Sequence, residues 1–107
     1  MLISIDPRTK YIEVDDLIAP TIQMLNNKGY VTTACCSGHN EEFSRYAYIQ
    51  YDFGGITPEV LPEKWYWTDN GQQMEYAYDT AIGLNRLEEI EQVMSGLYCW
   101  ACKLPNT

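Results

Sequence analysis

The sequence predicts an α+β fold: a mixed sheet of four or five strands carrying two helices on one face, in the order β-α-β-β-β-β-α. Three observations lead there. Residues 46–53 alternate with the period of a half-covered strand. Apolar positions in residues 85–104 recur every three or four residues, the period of a helix. The 107-residue length and 46% hydrophobic content suit one core, so residues 1–107 are expected to form a single globular domain.

Residues 2–5 and 11–14 are short β-prone runs parted by the turn formers Asp6, Pro7 and Arg8. Asp15 and Asp16 supply capping oxygens for a first helix with Leu17, Ile18, Ile22, Met24 and Leu25 on one side, stopping at Gly29. Pro20 falls in its first turn, where a missing N–H costs little. Residues 30–36 are β-branched and apolar, as a buried strand should be, and run into Ser37, Gly38 and His39. A right-handed crossover through the helix would make the strands on either side of it parallel, placing this turn at a carboxyl end of the sheet.

Residues 46–53 set Ala47, Ile49, Tyr51 and Phe53 against Tyr46, Tyr48, Gln50 and Asp52, and Gly54-Gly55 ends the strand. Pro58 and Pro62 make 57–63 a loop. Residues 64–68 and 72–79 flank Asp69-Asn70-Gly71, whose Asn-Gly suits a hairpin turn. On that hairpin Trp65 and Trp67 share a face, as do Met74, Tyr76 and Tyr78, forming a floor on which a helix can pack. Asn85 to Glu88 has capping-box spacing, and Leu87, Ile90, Met94, Leu97, Ala101 and Leu104 form the apolar stripe of the last helix before Pro105.

Fifteen acidic against seven basic side chains give a net charge of −8, with no basic cluster to follow a phosphate backbone. Direct nucleic-acid binding is therefore not expected. The N-terminus has no basic lead before an apolar run, and no segment approaches the roughly twenty apolar residues of a membrane helix. A cytoplasmic protein is expected, with its four cysteines as thiols or metal ligands.

The densest chemistry lies at Cys36, Ser37, Gly38 and His39. Successive main-chain N–H groups there could cradle a small anion or nucleotide-like ligand, and His39 lies close enough to Cys36 to act on its thiol. The plainer reading makes Cys35 and Cys36 strand residues and His39 a turn residue. Cys36 and His39 could also join Cys99 and Cys102 as a zinc site. Rotating about 100° per residue turns Cys99 and Cys102 away from the helix's apolar stripe, so no cofactor is expected.

The helix end Leu25-Asn26-Asn27-Lys28-Gly29-Tyr30, the strand Val31-Thr32-Thr33, the turn Cys36-Ser37-Gly38-His39 and the strand Tyr48-Ile49-Gln50-Tyr51 resemble a known core. It is that of the methyltransferase family acting late in tRNA wybutosine synthesis, matched over about residues 15–51. The family carries Thr-Ser-Ser-Cys-Ser-Gly-Arg here; Thr33, Cys36, Ser37 and Gly38 agree, whereas Ala34, Cys35 and His39 depart from it. The resemblance implies a shared local fold; the family's use of S-adenosylmethionine and tRNA does not suit so acidic a chain. The run Leu61-Pro62-Glu63-Lys64-Trp65-Tyr66-Trp67 and the end Trp100-Ala101-Cys102-Lys103-Leu104-Pro105 are also similar to small phage and prophage proteins of Gram-positive bacteria.

The leading functional expectation is a non-enzymatic, phage-type binding protein that meets the basic surface of a host protein, such as a nucleic-acid-binding defence enzyme, and inhibits it by contact. Candidate contact residues are Glu41, Glu42, Glu88, Glu89 and Glu91, with Trp65 and Trp67 adding apolar area or supporting homo-oligomerisation. The rival is a ligand-binding or enzymatic pocket at Cys36-Ser37-Gly38-His39.

Overall fold

The structure is a computed structural model that describes the backbone of residues 2–6, 10–13, 15–39, 45–68 and 71–107, and the side chains of 15–39, 45–68 and 71–107. Strands β1 (Leu2–Asp6) and β2 (Lys10–Glu13) pair as an antiparallel hairpin. Helix α1 (Ala19–Asn27) leads to β3 (Thr32–Cys36) and β4 (Tyr46–Tyr51); β5 (Tyr66–Thr68), β6 (Gln73–Ala77) and α2 (Leu84–Lys103) follow. The four-stranded sheet has the order β3-β4-β6-β5. The fold is α+β, as the sequence indicates.

The sheet is antiparallel throughout rather than mixed. The N-terminal strands pair with each other and lie beside α1, so no parallel crossover links them to β3. After α1, Gly29 takes φ +98° and the Tyr30 N–H donates to Leu25 O at 2.9 Å, turning the chain directly into β3. β3 is consequently an edge strand, and the turn after Cys36 sits at the corner of an antiparallel sheet, not in a crevice between parallel strands.

Alternation in β4 buries Ala47, Ile49 and Tyr51, and the register puts Met74 and Tyr76 of β6 beside Ile49 and Ala47. The same core takes Ile18, Ile22 and Leu25 from the α1 region and Ile90, Met94, Leu97 and Ala101 from α2, so both helices cover one face. Burying one such aliphatic side chain is worth about 1.5–3 kcal/mol. Phe53, in phase with Ala47, Ile49 and Tyr51 in the sequence, is 88% exposed because β4 ends at Tyr51. An irregularity between Thr32 and Ala34 resets the alternation, so Cys35 pairs with Ile49 on the core face while Cys36 pairs with Tyr48 on the open face.

Helix α2 departs from the expected capping box. It starts after Gly83 without a side-chain cap, and its buried stripe begins at Arg86, leaving Leu87 46% exposed. Arg86 is accommodated because its Nε and Nη2 donate to Thr80 O and its guanidinium lies 5.5 Å from the Tyr78 ring centroid. At the other end, Lys28 Nζ donates to Ala101 O at 2.9 Å and to Cys102 O and Leu104 O, each at 2.6 Å. This joins the end of α1 to the otherwise orphaned carbonyls of α2.

Candidate functional site

The 36–39 turn is a junction of four elements. The Ser37 N–H donates to Asp15 Oδ2 at 3.1 Å, while Asp15 Oδ1 accepts from the Ile18 N–H at 3.2 Å. The Gly38 N–H donates to Cys36 Sγ at 3.3 Å. Tyr78 Oη donates to Ser37 O, and Arg86 Nη1 donates to His39 O at 3.4 Å. Gly38 holds φ +83°, and a Cβ built on it would lie 2.4 Å from Tyr78 Cε2, so only glycine fits between the strand end and that ring.

These bonds bear directly on the anion cradle expected here. A carboxylate of the chain itself, Asp15, already accepts the Ser37 N–H, and the Gly38 N–H is engaged by sulfur. The adjoining cleft of about 250 Å3 is lined by Asp15, Asp16, Leu17, Leu87 and Glu91 as well as by Ser37, Gly38 and His39. Three carboxylates in that wall oppose a second anion.

Cys36 Sγ and His39 Nε2 are 3.5 Å apart, as the spacing suggested. Burial pushes the Cys36 thiol above its ordinary range; the Gly38 N–H pulls the other way and the Asp15 charge pushes it further up. Cys35, packed against the core, is pushed up to about 12, first by burial and then by Asp15 and Cys36. Both thiols are thus held in the protonated, weakly nucleophilic form at neutral pH. The alternative zinc site is not assembled: among the described residues no group of three or more His, Cys, Asp or Glu could hold a metal ion. Helix α2 continues to Lys103, so Cys99 and Cys102 lie on its exposed side.

Of the expected contact residues, Glu41 and Glu42 lie outside the described residues. Trp65 is buried and Trp67 partly so, both packed in the core beneath the helices instead of forming an outer patch. Glu89 is occupied internally, accepting from Thr80 Oγ1 at 2.7 Å, the Thr80 N–H at 3.1 Å and Tyr76 Oη at 3.2 Å. Burial alone would raise its carboxyl pKa; these bonds and the Asp79 N–H outweigh that and hold it below the usual range. Glu88 and Glu91 remain exposed.

Sequence reasoning named Glu88 and Glu91 but missed that they share a stripe on α2 with Leu84, Ser95 and Tyr98, recurring every three or four residues. It borders the seam with α1, where one shallow cleft is lined by Leu17, Leu87 and Glu91 and the next by Leu17, Glu91, Met94 and Tyr98. Leu17, Leu84, Leu87 and Tyr98 are 51%, 72%, 46% and 39% exposed. The signal was the polar and apolar mixture beside the core stripe, obscured by placing Leu87 in the core.

Comparison with protein-family models, with curated proteins and with solved structures finds no match for this chain. Among the described residues no helix is long and apolar enough to cross a membrane.

Proposed function

We propose that the protein acts by occupying a cationic protein partner through the acidic, partly apolar seam between α1 and α2, and not by turnover. The observation that carries this reading is the exposed α2 stripe, where Glu88 and Glu91 alternate with Leu84, Leu87 and Tyr98 beside Leu17. Carboxylates steer a basic surface into register, while the leucines and tyrosine supply area that gains from desolvation. The net charge of −8 strengthens that attraction at long range. A host nucleic-acid-binding defence enzyme fits this chemistry, because its phosphate-binding surface is cationic and contact there inhibits it.

The experiment is competition. A partner captured from a host lysate at low salt is purified and its nucleic-acid binding measured while this protein is titrated in. Mutually exclusive binding is expected; a stable ternary complex, or capture of no cationic protein, would refute the proposal.

A second reading rests on the 3.5 Å contact between Cys36 and His39, which suits a small uncharged, nucleoside-like ligand, since the neighbouring carboxylates oppose phosphates. Its test is a thermal-shift screen against nucleosides, with nucleotides beside them. A shift present in wild type and lost in both Cys36→Ala and His39→Ala favours it.

A further inference from the structure

On a different side of α2 from the acidic seam, a groove of about 810 Å3 runs between the 60–65 segment and the helix, from Gln92 to Lys103 and on to Pro105. That volume falls in the range of small-molecule sites. Trp65, Tyr76, Leu97 and Trp100 provide its apolar walls. Specific contacts fix its walls: Trp100 Nε1 donates to Val60 O at 2.8 Å, tying the loop to the helix, and Trp65 meets Tyr76 at a tilt with 5.8 Å between centroids.

Two backbone features lie along the groove. Gly96 lies in the interior of α2, where glycine weakens a helix, yet nothing lies within 4 Å of where its Cβ would be. No packing contact requires glycine there; its effect is to leave the groove wall open. Lys64, on the opposite wall, holds φ +71°, the one positive φ outside glycine among the described residues. Strain of this kind collects where a ligand is met.

Charge identifies the occupant. In a chain with net charge −8, two lysines, Lys64 and Lys103, line this groove, against one carboxylate, Glu63. Lys28 and Arg86, by contrast, bond to main-chain carbonyls. The carbonyl end of α2, which would repel an anion, is covered by Lys28. We propose that the groove binds a small amphipathic carboxylate, its hydrocarbon body against Trp65 and Trp100 and its anionic end at the lysines. This site is independent of the seam, and either can fail without the other.

The test titrates the full chain with dodecanoate below its micellar range, read by tryptophan fluorescence and by calorimetry, with dodecylamine as the charge-reversed control. Saturable one-to-one binding of dodecanoate is expected, with dodecylamine weaker by about tenfold or more. Gly96→Leu fills the groove with a better helix former, so it should fold and lose binding. Lys64→Gly relieves the positive φ, so it should be at least as stable as wild type while binding dodecanoate less tightly. Absence of saturable binding, equal binding of the amine, or undiminished binding by folded Gly96→Leu would overturn the proposal.

Discussion

Replacing Gly38 by alanine tests whether the 36–39 turn is a packed junction. Two costs combine. Positive φ at +83° penalises an L-residue by about 1–2 kcal/mol. The new methyl would also meet Tyr78 Cε2 at 2.4 Å, and that ring is only 1% exposed, fixed by its bond to Ser37 O, by Tyr76 at 5.2 Å and by Arg86 at 5.5 Å. Overpacking of this kind adds about 1–3 kcal/mol. The expected loss is therefore about 2–5 kcal/mol, a large share of the stability of a typical domain. Gly71→Ala is the control, because φ is +84° there and nothing lies within 4 Å of the added Cβ, leaving the strain alone. Urea unfolding at equal m should place the Gly38→Ala midpoint well below that of Gly71→Ala. In a Tyr78→Ala background the cost of Gly38→Ala should shrink, since the clashing ring is gone. Equal midpoints for the two glycine variants would refute the reasoning.

Other outcomes follow from the same contacts. Lys28→Met should cost about 1–2 kcal/mol by uncovering the α2 carbonyls, with hydrogen exchange accelerating first in the last turn of that helix. Glu89 has a lowered folded-state pKa, so its contribution is present above the ordinary value of 4.5 and is lost as pH falls through the folded value. The stability gap between wild type and Glu89→Gln should accordingly narrow on acidification, as urea midpoints would register. Cys35 has the opposite linkage: its contribution is complete below the ordinary value of 9.0 and is lost as pH rises toward about 12. Cys99 and Cys102, exposed on α2, should react with iodoacetamide at neutral pH before Cys36 and Cys35, as peptide mapping of partly alkylated protein would reveal.

Where local periodicity meets a covered surface, the sequence was a good guide. Ala47, Ile49 and Tyr51 are buried as their alternation indicated, and the hairpin face of Met74, Tyr76 and Tyr78 does carry a helix. Strand partnership was not legible, because alternation fixes which face is covered but not which strand lies alongside; β1 and β2 satisfied each other and removed the parallel option. The N-cap of α2 was misread by two residues, Asn85 for Gly83, and the start of its buried stripe by one. Leucine at 87 looks like core and arginine at 86 does not, until Thr80 O and the Tyr78 ring receive the guanidinium. The same holds at the candidate site: Asp15 lies 22 residues before Ser37, so nothing local announces that its carboxylate meets that turn. Local pattern did reveal the contact of Cys36 with His39, which are three residues apart.

The claim that contact runs through the α1–α2 seam is tested most directly by charge reversal. Tagged wild type and a folded Glu88→Lys/Glu91→Lys double variant are compared for partner capture from a host lysate, at low and at high salt. A cationic protein retained by wild type at low salt, released at high salt and absent with the double variant is the expected result. Recovery of that same protein in equal amount by the charge-reversed variant would contradict it.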